Sequence, residues 1–244
     1  MTISKIKLKT TEKDKIMESV EIFEEQYRIK GLRAQRMYPN ESLIRFLAKE
    51  GLLGSKCGVK CLEIGCGSGA NLWMMAKEGL DVYGIDASLT SIELAKRHLA
   101  DKWGVSADLR YGTFEQLPFE NHTFEYVVDV VSLQHVDLKT AAKALREIHR
   151  VLKPKGKFFS YRLSDHSIMY NNSGNVYLDA ATISNITEGL PLAGNGRTSF
   201  WSPALAREKY EEAGFSITQI DTVTRTYQSG KYHVEYLSIE AIKK

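Results

Sequence analysis

Long hydrophobic runs are missing from this 244-residue sequence. No stretch approaches the ~18 apolar residues of a membrane helix, and the Lys- and Thr-rich residues 1–15 do not resemble a signal peptide. An excess of one charge is also missing, because 33 basic residues accompany 30 acidic ones. Nucleic-acid binding usually needs a dense basic stripe, so this balance argues against it. We expect a cytoplasmic monomer or homodimer with neither a membrane nor a nucleic-acid partner.

Cysteine is scarce, with only Cys57, Cys61 and Cys66 present. An odd number of clustered cysteines argues against a disulfide framework. A zinc site would need ligands from elsewhere in the chain, because the sequence has no CxxC pair. We therefore expect reduced thiols and no metal.

The pattern of short apolar runs and amphipathic segments predicts an α/β fold. Two helical segments come first, and then strands alternate with helices up to residue 161, which indicates parallel βαβ units with helices on both faces of a sheet. Residues 215–227 and 232–242 follow as two strands with no helix between them, so we expect a hairpin at Gly230 and one antiparallel strand. The predicted strands of the alternating part are residues 59–64, 81–85, 109–111, 126–131 and 157–161.

A glycine-rich loop follows the first predicted strand, with Gly65, Gly67 and Gly69 in a GxGxG pattern. This spacing differs from the GxGxxG of NAD-binding proteins, and no Lys follows the glycines to neutralise phosphates, as it does in P-loops. Asp86 ends the next strand, about 20 residues later, where a carboxylate can accept hydrogen bonds from ribose hydroxyls. The pair favours an adenosine-type ligand without a pyrophosphate. An NAD(P)-dependent oxidoreductase on the same fold is the disfavoured alternative.

Five segments in the right order resemble the motifs of class I S-adenosylmethionine-dependent methyltransferases. The resemblance covers residues 58–160 and implies a Rossmann-like, mainly parallel seven-stranded sheet whose last strand is antiparallel, with S-adenosylmethionine as cofactor and S-adenosylhomocysteine as product. EAGF at residues 212–215 also resembles the start of the family's penultimate strand. The five segments are LEIGCGSGAN (62–71), GIDAS (84–88), YGTFEQLPF (111–119), FEYVVDVVSLQHV (124–136) and RVLKPKG (150–156).

The resemblance and the order of the strands also imply site residues. The family's adenine-binding Asp is replaced here by Thr113, which could accept through its hydroxyl. His135 is the general-base candidate, because histidine titrates near neutrality. Arg36 is favoured over Arg33 to pair with the cofactor carboxylate, since a guanidinium suits carboxylate recognition. The expected cofactor-binding residues are Gly65, Gly67, Gly69, Asn71, Asp86, Ala87, Thr113, Phe114, Asp129 and Arg36.

We expect one domain over residues 1–244, in which two segments cover the site. Residues 1–55 form an N-terminal helical cover, and residues 162–201, which lack periodicity, form a lid over the active site. Aromatic and polar side chains in these regions suit a small-molecule acceptor, methylated on oxygen or nitrogen. A non-catalytic subunit that binds S-adenosylmethionine is a further alternative. The expected substrate-binding residues are Tyr27, Tyr38, Tyr161 and Trp201.

Overall fold

The computed structural model describes residues 12–54, 58–186 and 192–244; Cys57 lies outside these ranges. The helices are α1 (Glu12–Lys30), α2 (Glu41–Lys49), α3 (Leu72–Lys77), α4 (Leu89–Arg97), α5 (Leu138–Val151) and α6 (Pro203–Glu212). The strands are β1 (Lys60–Ile64), β2 (Asp81–Asp86), β3 (Asp108–Tyr111), β4 (Phe124–Val130), β5 (Leu152–Leu163), β6 (Thr182–Ile183), β7 (Thr198–Ser199), β8 (Phe215–Tyr227) and β9 (Tyr232–Lys243).

Seven strands form one sheet in the order β3-β2-β1-β4-β5-β9-β8. β1 to β5 are parallel, and β9 runs antiparallel to both β5 and β8. The predicted fold class, including the antiparallel last strand, is therefore confirmed. Ile64 at the end of β1 pairs with Ile85 on one side and Asp129 on the other. This register brings the carboxyl ends of β2, β1 and β4 to one edge of the sheet.

Helices begin where polar side chains cap them. Ser88 accepts a hydrogen bond from the Ser91 amide at the start of α4, and Ser202 does the same for Leu205 at α6. The apolar face of α5 packs on the sheet, where Ala144, Leu145 and Ile148 have no exposed surface. These two contributions, capping and one buried apolar stripe, explain why the helices lie where the sequence pattern predicts them.

The predicted hairpin at Gly230 is confirmed, and it is longer than the sheet that it joins. Pairing of β5 with β9 ends at Leu163 and Tyr236, whereas β8 and β9 stay paired as far as Tyr227 and Tyr232. Because β8 runs in the same direction as β5, the tip of the hairpin projects beyond the carboxyl edge of the sheet.

Residues 162–201 pack more tightly than their lack of periodicity suggests. Beyond the end of β5 at Leu163, the regular pairing of the described residues here is limited to the short antiparallel ladder of β6 and β7. Even so, Met169, Ile183 and Phe200 are buried in the core. Isolated apolar residues anchor this segment, and such anchors leave no period in the sequence.

No helix in the described ranges is both long enough and apolar enough to cross a membrane.

Candidate active site

A cavity of about 360 Å³ opens at the carboxyl edge of the sheet. Ligands of open α/β sheets bind at this edge. The ends of β1, β2, β4 and β5 form its floor, and residues from α1, the segment after it and the β8–β9 hairpin form its walls. The predicted site residues that line it are Tyr27, Arg36, Gly65, Asp86, Ala87, Thr113, Phe114, His135 and Tyr161.

Only the first part of the glycine loop faces the cavity. Gly65 has a positive φ of 61°, and a side chain there would collide with Ser132, whose hydroxyl donates to the Gly65 carbonyl at 3.1 Å. Gly67 lies beneath the Tyr27 hydroxyl and the Gln35 amide. Gly67 and Gly69 do not line the cavity. Their ligand contacts stay a prediction, and in this structure the two glycines shape the loop.

Asp86 connects this loop to the end of β2. Its two carboxylate oxygens accept hydrogen bonds from the backbone amides of Ser88 and Gly67, each at 2.8 Å. Burial raises the pKa of Asp86, and these hydrogen bonds oppose that rise. A carboxylate offers about four acceptor positions, so Asp86 retains the capacity to accept from a ligand in the cavity.

Glu63 lies at the floor of the cavity and is almost fully buried. Its Oε1 accepts from the Asn71 side chain, whose own oxygen accepts from the Asn40 amide. Its Oε2 has no hydrogen-bond partner among the described residues, and burial raises the pKa of Glu63 to about 8. Asn71 itself does not line the cavity. Its predicted cofactor contact is corrected to positioning Glu63.

Arg36 supplies a cation to the same end of the cavity. Burial lowers the pKa of Arg36, and the nearby Glu63 is the first of the groups that oppose this. Its Nε has no hydrogen-bond partner in the described chain. Arg33, in contrast, is exposed and is not part of the lining. The structure thus places the favoured arginine of the two at the cavity.

Asp129 does not line the cavity, although it is the next-to-last residue of β4. Its carboxylate accepts from the amides of Ser132 and Leu133 at 3.0 and 3.1 Å, and from the Ser160 hydroxyl at 2.7 Å. These three contacts hold the loop after β4 against β5. The predicted cofactor contact of Asp129 is therefore corrected to a structural one.

His135 lines the cavity. It was predicted to be the general base because histidine titrates near neutrality, but its surroundings lower its pKa. Its Nδ1 lies 3.1 Å from the Arg197 carbonyl, which can only accept, so Nδ1 carries the proton and Nε2 is an acceptor. Burial lowers the pKa of His135 to about 4, and the hydrogen bond to Arg197 opposes that shift. The imidazole is neutral at physiological pH and is a weak base, so the argument from neutral titration is wrong.

Two of the four predicted substrate residues face the cavity and two do not. Tyr27 and Tyr161 line it. Tyr38 is 62% exposed on the outer surface, where its ring contacts Trp73 edge-on. Trp201 is completely buried, with the Arg162 guanidinium 3.5 Å from its ring centroid. Both are corrected: one lies on the outside and the other belongs to the core.

The β8–β9 hairpin contributes three side chains to the cavity that were not among the predicted site residues: Arg225, Tyr227 and Tyr236. In the sequence they look like the exposed residues of an edge strand. The available signal was the length of the second-to-last strand, because its 13 residues extend beyond the level of Leu163, where the pairing of β5 with β9 ends. The excess had to project past the carboxyl edge.

Comparisons with known proteins agree with this geometry. A family model described as a methyltransferase domain matches residues 62–160. The ubiquinone biosynthesis O-methyltransferase of Pseudomonas aeruginosa (strain UCBPP-PA14) is 31% identical over 169 residues, which are 68% of each chain. The enzyme of the same name from Chelativorans sp. (strain BNC1) is 37% identical over 103 residues, but the match spans only 39% of its length and 42% of this chain.

A solved structure extends the likeness to nearly the whole chain. The 1,6-didemethyltoxoflavin-N1-methyltransferase of Burkholderia thailandensis, with bound S-adenosylhomocysteine, has a TM-score of 0.70 over 99% of this chain and 93% of its own. Its sequence identity of 15% means that this likeness concerns the fold. The Pseudomonas relative, the shared fold and the order of the motifs lead to one conclusion. The chain belongs to the class I S-adenosylmethionine-dependent methyltransferases.

Proposed function

We propose that this protein transfers a methyl group from S-adenosylmethionine to a small-molecule acceptor, on oxygen or nitrogen. One observation carries the proposal: a single cavity joins the Gly65 loop, Asp86, and Thr113 with Phe114, and then continues to the β8–β9 hairpin. The first three features suit a nucleoside, and the continuation leaves space for a second molecule. A non-catalytic cofactor-binding subunit would not need that second space.

The residues of the cavity fit the cofactor. Asp86 and Ala87 would hold the ribose, while Thr113 and Phe114 would flank the adenine. The buried Glu63 Oε2 lacks a partner and suits the ammonium group of the methionine end. The Arg36 guanidinium suits its carboxylate.

Bound S-adenosylmethionine supplies a methyl group on a sulfonium, whose leaving group is neutral. The chain must therefore orient the acceptor and exclude water rather than protonate a leaving group. The Nε2 atom of His135, which lies 3.3 Å from the Gln134 side-chain amide, can hold an acceptor hydroxyl or amine in position if the ligand replaces Gln134 as the donor. Because burial lowers its pKa to about 4, we assign it a positioning role rather than that of a strong base.

Residues 1–55 and 162–201 are proposed to cover the site. Their described parts meet above the cavity: Gln26 donates to Asn195 at 3.5 Å, and Gly196 lies against Ile22 and Ser19. Phe23 and Leu192, one from each segment, line the cavity. These contacts support a cover that must open to admit the cofactor.

A cytoplasmic monomer or homodimer without a nucleic-acid partner is part of the same proposal. The free, buried thiols of Cys61 and Cys66 support a reducing compartment. The near balance of 33 basic and 30 acidic residues supports a small-molecule acceptor over a nucleic acid. The names of the relatives include O-, N- and C-methyltransferases, so they do not distinguish the proposed oxygen or nitrogen acceptor from a carbon one.

Calorimetry with S-adenosylhomocysteine and, separately, with NADH tests the proposal against the oxidoreductase alternative. We expect binding of the first only. Transfer of labelled methyl groups to a panel of phenols and amines should then identify an acceptor. Binding of NADH alone would contradict the proposal, whereas binding of S-adenosylhomocysteine without transfer to any metabolite would favour the non-catalytic subunit.

A further inference from the structure

Charged residues of both signs line the cavity. Asp86 and Glu115 line the end formed by β2 and the segment after β3. The two arginines of the lining, Arg36 and Arg225, belong to other parts of the wall. Glu63 lies near Arg36 and offsets its charge. Arg225 is therefore the cation of the lining that lies away from its acidic residues.

The order of the strands separates Arg225 from the nucleoside end of the cavity. Adjacent strands lie ~4.8 Å apart, and β8, which carries Arg225, is five positions from β2 in the sheet. Arg36 interacts electrostatically with Glu63, at the end of β1. Arg36 can thus serve the methionine end of the cofactor, over β1 and β4. Arg225 faces the part of the cavity beyond β5, which the proposed cofactor position leaves for the acceptor.

The surroundings of Arg225 are aromatic and contain no balancing acid. Arg225 and Tyr227 lie on one face of β8 and both line the cavity. The rings of Tyr161 and Tyr236 stack beside them, with 4.8 Å between centroids and 15° between planes. The salt bridges formed by described residues do not include Arg225. Arg225 is exposed, so its guanidinium is available to a ligand that enters the cavity beside these aromatic rings.

Tyr161 provides a second polar group at this place. Its hydroxyl is buried and lies within reach of the Arg225 side chain. Burial raises the pKa of Tyr161 to about 12, and the charge and hydrogen bond of Arg225 oppose this rise. Tyr161 is therefore neutral. Because a guanidinium can only donate to it, the hydrogen of the Tyr161 hydroxyl is available to an acceptor group of a ligand.

We propose that Arg225 binds a carboxylate of the methyl acceptor, and that the acceptor class is a small aromatic acid. This inference rests on the proposed function and adds the acceptor class to it. The planar guanidinium fork matches a carboxylate with two hydrogen bonds. The Tyr161 hydroxyl donates to the same group, and the rings of Tyr227 and Tyr236 contact the ring of the acceptor. Arg225 is thus a specificity-determining residue.

A matched pair of probes tests the inference: 3,4-dihydroxybenzoate and its neutral amide, 3,4-dihydroxybenzamide. Each is titrated calorimetrically into protein saturated with S-adenosylhomocysteine. We expect the Kd of the benzoate to be at least about tenfold lower than that of the amide, a ratio that calorimetry can measure. Arg225→Gln should abolish the preference, and Arg225→Lys should retain part of it. Arg207→Gln, which removes an exposed arginine on α6, should leave it unchanged.

The affinity for S-adenosylhomocysteine is measured first, for every variant. If the parent protein does not bind it, the proposed function fails. If it binds and the benzoate shows no preference over the amide, or no binding at all, the inference about Arg225 fails alone. A preference that survives in Arg225→Gln would also overturn it.

Discussion

The Asp86 carboxylate accepts a hydrogen bond from the Gly67 amide, with 2.8 Å between oxygen and nitrogen. This contact joins the glycine loop after β1 to the end of β2. The same carboxylate faces the cavity. Asp86 therefore both fixes the shape of the loop and offers acceptor positions to a ligand.

We predict that Asp86→Ala weakens binding of S-adenosylhomocysteine by about 10- to 100-fold, because hydrogen bonds to charged groups contribute about 1.5–3 kcal/mol. Calorimetry measures the loss. Asp81→Ala is the matched control, since Asp81 is exposed at the start of the same strand. An affinity of Asp86→Ala within about fivefold of the parent, below about 1 kcal/mol, would exclude the ribose role.

The second prediction concerns pH and Glu63. Burial raises its folded-state pKa from 4.5 to about 8. A raised folded pKa stabilises the protein fully below the unfolded pKa, and that stabilisation is lost as pH rises through the folded pKa. We therefore expect the Tm of the ligand-free protein to fall between pH 6.5 and about 8. The titration of His135 changes the stability with the opposite sign, but it does so below the unfolded-state pKa of 6.5.

The isosteric Glu63→Gln variant removes the titration while keeping the acceptor of the Asn71 hydrogen bond. Its Tm should change less than that of the parent protein over this interval. Glu93→Gln, at an exposed position of α4, should retain the slope of the parent. Parallel curves for the parent and Glu63→Gln would show that Glu63 titrates normally.

The parts of the site that lie on regular strands could be predicted from the sequence, because strand order and strand ends determine where they meet. Gly65 and Thr113 follow the end of a parallel strand, Asp86 is the last residue of one, and all three line the cavity. Asp129 occupies an equivalent place at the end of β4, yet its side chain accepts three hydrogen bonds from its own surroundings. A side chain's direction depends on local donors, which the periodicity of a sequence does not reveal.

Aromatic residues were harder to place, because a tyrosine or tryptophan suits a core, a surface and a pocket equally well. Trp201 lies in the core, where Arg162 covers its ring. Tyr236 looked like a strand residue and lines the cavity. The difference depends on how far the β8–β9 hairpin projects, which follows from tertiary pairing rather than from local sequence.

The third prediction is that protonation of His135 does not lower the rate of methyl transfer near neutral pH. Burial lowers its pKa to about 4, so the ring stays deprotonated through the physiological range. The single-turnover rate at saturating acceptor should show no inflection near pH 6.5 that belongs to His135. His135→Asn keeps a donor for the Arg197 carbonyl but removes Nε2. We expect a rate loss below about 100-fold, the lower bound for a general base.

The shape of the pH profile separates the two roles of His135. A positioning residue changes the rate at every pH by the same factor. A limb with an apparent pKa near 6.5 that disappears in His135→Asn would restore His135 as the general base. Rapid-quench measurement of methylated product supplies the rates.

The last prediction concerns the cover formed where residues 162–201 meet α1. Binding of S-adenosylhomocysteine should slow amide hydrogen exchange in residues 19–27 and 192–197, because a ligand between the two segments holds them together. Gly196 lies at the contact, and a Cβ there would stand 2.8 Å from the Ile22 terminal methyl. Gly196→Ala should therefore reduce the protection that the ligand confers, by displacing the side chain of Ile22 or α1 itself.

Gly194→Ala is the control for this change, because it carries the same backbone cost without the contact. Gly194 and Gly196 have φ values of 78° and 73°, both unfavourable for alanine, but a Cβ at Gly194 meets no atom within 4 Å. Only the contact with α1 distinguishes the two variants, so a difference in ligand-induced protection reports on the cover. If exchange in both segments is already fully protected in the free protein and does not respond to the ligand, the segments are a rigid wall. The site would then have to admit its cofactor without movement of these two segments.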